Sequence, residues 1–155
     1  MTGAPPQGPT TDAAGLDRFV HAQDAGGTYD TALAELRAGH KRTHWMWFVL
    51  PQLAGLGRSE MAQRYAVRDL AEARAYLAHP VLGPRLLDCA RALTALDTTD
   101  PVAVFGGVDA QKLRSSMTLF ARADPSDAVF PAVLEKYFDS RPDDATDRLL
   151  SSPSG

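Results

Sequence analysis

Hydrophobic side chains recur along the chain at spacings of three and four residues, which is the pattern of one face of an α-helix. The longest such run places five apolar side chains on one stripe: Leu82, Leu86, Cys89, Leu93 and Leu96. Similar patterns predict further helices over Leu16–Val20, Tyr29–Leu36, Leu113–Phe120, Phe130–Tyr137 and Asp143–Leu150. Alternating β-branched runs and Asn-Gly or Asp-Gly hairpin turns are missing. The pattern predicts an all-α fold, a compact single-domain multihelical bundle.

Capping residues and helix breakers divide this pattern into short elements. Ser59 and Asp69 precede two short runs, Asp100 with the following proline opens another, and Asp109 is placed to cap the helix that contains Leu113. The segment 44–50 is apolar on every side and ends at a proline. Periodicity alone does not separate a buried strand from a buried helical turn there, and we favour the helical turn.

The two ends of the chain lack apolar periodicity. Residues 1–14 are rich in Pro, Gly, Thr and Ala, and residues 151–155 have the sequence SSPSG. Neither end carries enough apolar surface to offset the entropy of ordering it. We therefore expect disordered tails over 1–14 and 151–155 and one helical domain over 15–150.

Composition narrows the class of protein. Sixteen Lys and Arg residues against nineteen Asp and Glu give a formal charge of −3, which excludes a general nucleic-acid coat protein. The single cysteine, Cys89, excludes an intramolecular disulfide framework and fits a small core residue in a reducing compartment. No apolar run approaches the length of a membrane span, and a signal peptide is not apparent. We expect a cytoplasmic protein without a membrane partner.

Common site motifs are missing from the sequence. It contains no GxGxxG, GxxxxGK[ST], HExxH or GxSxG, so it gives no support to dinucleotide-fold, P-loop, zincin or hydrolase-elbow chemistry. The four histidines have no regular spacing, and neither a metal site nor a cofactor is expected.

One segment, residues 39–47, combines basic side chains with two tryptophans. Arg42 and His44 precede Trp45 and Trp47. Cationic side chains meet phosphate oxygens, indole rings stack on planar groups, and histidine transfers protons near neutral pH. The segment suggests a small anionic ligand with a planar part, such as a nucleotide. Alternatively, both tryptophans belong to the core and the basic residues are merely solvated.

A second segment, residues 105–120, mixes polar and apolar positions on one predicted helix. Lys112, Ser115 and Ser116 share a neighbourhood through helical spacing. Adjacent serines inside a helix are less favourable than better helix-forming residues unless their hydroxyls form hydrogen bonds. The N–H groups that follow Gly106 and Gly107 would face an anion. Alternatively, the small side chains only allow helices to pack closely.

Several short segments of the sequence resemble those of a known family. They are His44–Gln52, Gly55–Gly57, Ala75–Pro80, Leu82–Leu86, Phe105–Gly106 and Lys112–Phe120. Their order resembles the bacterial and fungal domain-of-unknown-function family numbered 1810, sometimes labelled calpastatin, from about Leu16 to Leu150. One departure is Leu50, where the family more often has an aromatic residue. The resemblance implies an all-α intracellular domain and assigns no reaction.

A fainter similarity links part of the chain to NADAR-type domains, which are helical N-glycosidases acting on ADP-ribose-like or ribosylated conjugates. The order that carries it is His79, Leu82, Leu86, Phe105-Gly106 and Lys112. Those domains place an acidic residue near the aromatic-Gly pair, and Asp109 matches that position. Their early acidic position corresponds here to Thr43-His44.

Together these observations lead to one hypothesis with an alternative. The two segments would meet across a cleft that binds a phosphorylated nucleotide or ADP-ribose-like molecule, with N-glycoside hydrolysis as the candidate reaction. Arg42 and Lys112 would contact the anion, Trp45 and Trp47 would supply stacking or a wall, and Gln52, Ser115 and Ser116 would contact polar groups. Asp109 or His44 would transfer the proton. The alternative is a non-catalytic helical protein-interaction module, and the oligomeric state is left open.

Overall fold

The structure, a computed structural model, describes the backbone of residues 7–151 and the side chains of residues 15–151. Over these residues the α-helices are α1 (Gln7–Asp24), α2 (Thr28–Ala38), α3 (Met46–Val49), α4 (Glu60–Arg64), α5 (Leu70–Ala78), α6 (Leu82–Ala95), α7 (Pro101–Phe105), α8 (Gly107–Ala123), α9 (Val129–Phe138) and α10 (Asp144–Ser151). A 3₁₀ turn joins α1 to α2. The described chain contains an isolated parallel bridge between Leu53 and Val67 but no β-strand. The predicted all-α single-domain fold is confirmed.

Side-chain caps mark the start of three of the described helices. Ser59, Asp69 and Asp100 are the N-caps of α4, α5 and α7, and each side chain accepts a hydrogen bond from a backbone N–H of the first turn. Segment 44–50 contains the short helix α3, as predicted. The predicted caps at Ser59, Asp69 and Asp100 are thus confirmed.

The predicted cap at Asp109 is wrong. Helix α8 begins at Gly107 with Gly106 as its N-cap, and Asp109 lies inside the first turn. Gly106 has φ 81° and ψ 166°, a conformation that glycine adopts without the steric cost other residues pay. The chain therefore passes from α7 into α8 through one residue, and the Asp109 carboxylate is left for other partners.

The predicted tails lie partly outside the described part of the chain: residues 7–14 belong to the backbone of α1, and Ser151 ends α10. Residues 1–6 and 152–155 are not described, and α1 is described from Gln7 onward. The boundaries of the tails stay predictions.

Helix α8 lies at the centre of the bundle and packs against α5, α7, α9 and α10. A chain of aromatic contacts crosses it, with ring centroids 5.2 Å apart for Phe19 and Tyr76, 5.4 Å for Tyr76 and Phe120, and 5.9 Å for Phe120 and Phe130. Cys89 is fully buried, and this burial raises the pKa of its thiol to about 12. The thiol is therefore a core group rather than a nucleophile. None of the described helices has the length and apolarity needed to cross a membrane.

A buried amide fixes α3 within this bundle. Gln23 near the end of α1 donates from Nε2 to the Phe48 carbonyl at 2.8 Å and to the Tyr76 hydroxyl at 3.1 Å. Its Oε1 accepts from Arg85 at 3.1 Å. Since a buried amide without partners would be costly, the complete set of bonds favours one position for α3 and hence for the tryptophans around it.

Candidate functional site

The connection between α2 and α3, residues 39–45, lies against α7 and the start of α8. The Lys41 N–H donates to the Val104 carbonyl at 2.8 Å and so attaches the connection to α7. Trp45 and Phe105 pack edge to face, with their ring centroids 6.5 Å apart. The two segments singled out in the sequence, 39–47 and 105–120, are therefore neighbours in the fold.

Glu35, near the end of α2, holds this connection in place. Its carboxylate accepts from the N–H of Arg42 at 2.8 Å, from the N–H and hydroxyl of Thr43 at 3.1 and 2.7 Å, and from the indole N–H of Trp45 at 2.9 Å. Partial burial by itself would raise the pKa of Glu35, but these hydrogen bonds lower it to about 2. Glu35 is an ionised anchor for the loop that carries Lys41.

Two lysines share one carboxylate at the start of α8. Lys41 Nζ lies 2.9 Å from Asp109 Oδ2 and also donates to the Thr43 carbonyl at 2.6 Å. Lys112 Nζ lies 3.3 Å from Asp109 Oδ1. The Lys41 side chain is 6% exposed, against 22% for Lys112 and 20% for Asp109. We call these three residues the ion cluster; formally it carries one net positive charge beside the unpaired N–H groups of a helix N-terminus.

The two tryptophans occupy different environments. Trp45 is fully buried, and Lys41 Nζ lies 5.1 Å from the centroid of its ring. Trp47 is only partly buried, and Lys112 Nζ lies 5.1 Å from its ring centroid. Trp45 is a core residue, as the alternative interpretation of the sequence has it, and Trp47 is the one of the two that is not fully buried. The structure brings Trp47 and Lys112 together across 65 residues of sequence.

The two predicted serines are both buried, and their hydroxyl groups differ. Ser115 Oγ donates to the Gln111 carbonyl, one turn earlier, at 3.2 Å. Ser116 is 0% exposed, and its Oγ has no hydrogen-bond partner among the described residues. Ser116 lies one turn beyond Lys112 on the same side of α8.

The remaining predicted site residues are not part of the ion cluster. Arg42 and His44 are exposed and Gln52 is partly buried. Among the described residues, no hydrogen bond or ion pair joins their side chains to the cluster. Arg42 helps to hold the connection in place through its backbone N–H, which donates to Glu35, and not through its guanidinium. Four surface depressions of about 150 to 510 Å³ in the described part of the chain are lined by other residues.

The sequence interpretation missed two residues that build the site, Lys41 and Glu35. Lys41 adjoins Arg42, and nothing in the local pattern tells which of two neighbouring cations turns inward. Glu35 did carry a signal, because a carboxylate near the C-terminus of a helix opposes the helix dipole unless it binds donors from outside the helix. Its four donors come from the loop directly after that helix, within ten residues.

Comparison with known proteins identifies relatives but no activity. The family model with the description "Protein of unknown function (DUF1810)" matches residues 13–150. The fold is similar to the crystal structure of the conserved hypothetical protein Rv1873 from Mycobacterium tuberculosis, with a TM-score of 0.85 and 48% sequence identity. That match covers 89% of this chain and 97% of the other. No curated protein matches the sequence.

Proposed function

The chain belongs to the DUF1810 family, and from that premise we propose that it binds a small anionic molecule with a planar part, such as a nucleotide or an ADP-ribose-like compound. The binding surface is the ion cluster together with Trp47. The family description assigns no activity, so the proposal is argued from this site alone.

One observation carries the proposal: the excess of positive charge in the ion cluster. Lys41 and Lys112 share Asp109, so one ammonium charge has no carboxylate of its own within the cluster. A cation in the first turns of a helix is also unfavourable against the dipole. An anionic group beside Lys112 would balance both effects, and it would face the N–H groups that start α8.

The partly exposed ring of Trp47 supports the second half of the proposal. Lys112 already lies near this ring, which places a site for negative charge next to an apolar flat surface. A planar group attached to the anion would bury apolar area against the indole. A nucleotide combines both groups in one molecule.

The proposal concerns binding. N-glycoside hydrolysis with proton transfer by Asp109 or His44 stays a prediction, since each Asp109 oxygen is engaged by a lysine and His44 has no described link to the cluster. The alternative function, a protein-interaction module, has one supporting observation: Val102 and Val108, on either side of the α7–α8 junction, are 55% and 73% exposed.

Calorimetric titration of the protein with adenosine 5′-monophosphate and with ADP-ribose tests the proposal. We expect Lys112→Ala to weaken binding at least tenfold and to leave the unliganded melting temperature nearly unchanged, because Asp109 keeps Lys41. Arg91→Ala is the matched control, because it removes one exposed positive charge on α6, paired only loosely with Asp88 at 3.8 Å. Equal affinity of Lys112→Ala and the unsubstituted protein would refute the anion contact, and no binding of either compound would refute the function.

A further inference from the structure

Helix α8 contains three buried hydroxyl side chains, and one of them differs from the others. Ser115 donates to the Gln111 carbonyl and Thr118 to the Arg114 carbonyl, the usual bond to the preceding turn. Thr118 also accepts from the Asp143 N–H at 2.8 Å. Ser116 is as deeply buried as they are, yet within the described part of the chain its hydroxyl has no partner.

An unpaired buried hydroxyl is costly to a protein, because water is lost and nothing replaces it. Alanine would fill the same space, favour the helix and avoid the cost. A packing role therefore gives no reason for a serine at position 116. A hydrogen bond that the hydroxyl forms only when a ligand is present would explain the serine.

The position of Ser116 relates it to the ion cluster. Asp109, Lys112 and Ser116 follow the spacing i, i+3, i+7 and share one side of α8. Side chains on a helix lean toward its N-terminus, and this tendency favours a Ser116 hydroxyl on the side of the turn that carries Lys112. The rise between these two residues is about 6 Å.

We propose that Ser116 is the inner end of the ligand site and hydrogen-bonds a neutral polar group of the ligand, which makes the ligand a phosphorylated sugar or the sugar-phosphate part of a nucleotide. The inference rests on the proposed function, since the phosphate is held by Lys112. A sugar hydroxyl lies a few covalent bonds from its phosphate, which suits a separation of about one helical turn. The serine hydroxyl both donates and accepts, as a sugar hydroxyl requires.

Ser116 is fully buried in the unliganded protein, so a ligand can reach it only if a neighbouring side chain moves; Lys112, one turn earlier on the same side of α8, is a long and flexible side chain in that position. The contacts of Lys112 with Asp109 and with the Trp47 ring are both made by the ammonium at the tip of its flexible side chain. The proposal requires that this ammonium move outward to the phosphate and that its movement open a path to Ser116. Binding and access are thereby coupled in one movement.

The experiment compares two probes, inorganic phosphate and ribose 5-phosphate, by calorimetric titration of the full chain and of Ser116→Ala. We expect Ser116→Ala to bind ribose 5-phosphate about five- to tenfold more weakly, the effect of one neutral hydrogen bond, and to bind inorganic phosphate unchanged. Its unliganded melting temperature should be equal or higher. Ser115→Ala is the matched control, because Ser115 is the neighbouring serine with its bond already made, and it should leave the ratio of the two affinities unchanged.

The outcomes separate this inference from the function on which it rests. If Lys112→Ala loses ribose 5-phosphate binding while Ser116→Ala does not, the inference fails and the anion site stands. If Ser116→Ala lowers the melting temperature and leaves both affinities unchanged, the hydroxyl holds a structural water and the inference is overturned. If neither probe binds the unsubstituted protein, both proposals fail.

Discussion

Replacing Asp109 by asparagine separates an ion cluster built for stability from one built to receive an anion. The substitution keeps the size of the side chain and removes its charge. The cluster then holds two ammonium groups and no carboxylate, so its formal charge rises from +1 to +2. If the cluster is structural, the substitution should only lower the stability of the protein. If it is an anion site, the substitution should lower the stability and raise the affinity for phosphate.

The contacts of Asp109 set the expected loss of stability. At 2.9 Å, the attraction between Lys41 and Asp109 is about 6 kcal/mol at an effective dielectric of 20 and about 1.4 kcal/mol at 80. Breaking a fully buried pair costs about 3–5 kcal/mol. Asp109 is 20% exposed and Lys41 keeps the Thr43 carbonyl, so we expect a loss of about 2–3 kcal/mol.

Phosphate should then reverse part of that loss. We expect Asp109→Asn to bind inorganic phosphate about tenfold more tightly than the unsubstituted protein at low salt, because the competing carboxylate is gone. The assay is urea denaturation with and without phosphate, since phosphate at 100 times its dissociation constant adds about 2.7 kcal/mol. Matched concentrations of sodium chloride serve as the control for ionic strength.

Two results would refute this reasoning. If Asp109→Asn is destabilised and phosphate restores no more stability than chloride does, the cluster is a structural ion network. If Asp109→Asn binds phosphate more weakly than the unsubstituted protein, the carboxylate contributes to the ligand contact and does not compete with it.

Further substitutions test the surroundings of the site. Trp45→Ala should cost about 3–5 kcal/mol in chemical denaturation and Trp47→Ala clearly less, since only the first ring is fully buried; equal losses would place Trp47 in the core. Glu35 has a folded pKa of about 2 against an ordinary 4.5, so its stabilisation is complete above about pH 4.5 and is lost as the pH falls toward 2. In denaturation curves, the free energy of unfolding of Glu35→Gln should fall less between pH 4.5 and pH 2 than that of the unsubstituted protein. If the two proteins show the same dependence on pH, the anchoring role is contradicted. Gly83→Ala should cost about 3 kcal/mol or more, because the added Cβ would lie 2.1 Å from the Leu77 carbonyl oxygen, and a melting temperature within a few degrees of the unsubstituted protein would disprove the close contact.

The fold was predictable because its determinants are local. The 4,3,4,3 stripe of α6 is visible without any tertiary information, and the caps at Ser59, Asp69 and Asp100 act within three residues of the helix they begin. Asp109 is a residue whose role does not follow from its neighbours in the sequence. Its residue type and position suit a cap, but Gly106 allows α8 to start earlier and the carboxylate binds two lysines instead.

The site was only partly predictable because its contacts span the chain. Two segments were identified from residue types, and the contact of Lys112 with Trp47 joins them. The inward turn of Lys41, however, depends on the Val104 carbonyl and on Asp109, both more than 60 residues away. Sequence spacing carries no information about such a pairing, and the sequence-based prediction therefore names Arg42 instead of Lys41.

The residues of the site share a property that residues chosen for folding alone would lack. Lys112 is a cation in the second turn of a helix, where the dipole is unfavourable and Asp109 is already paired with Lys41. Ser116 buries a hydroxyl that has no hydrogen-bond partner among the residues the structure describes. Neither is needed for the stability of the unliganded protein: we expect Ser116→Ala to leave the melting temperature equal or higher and Lys112→Ala to leave it nearly unchanged. Local conflicts of this kind concentrate at functional sites, because stability is given up there for interactions that form only with a ligand. That both lie within one turn of the same helix, beside the one accessible tryptophan, is the reason to search for the ligand at this face.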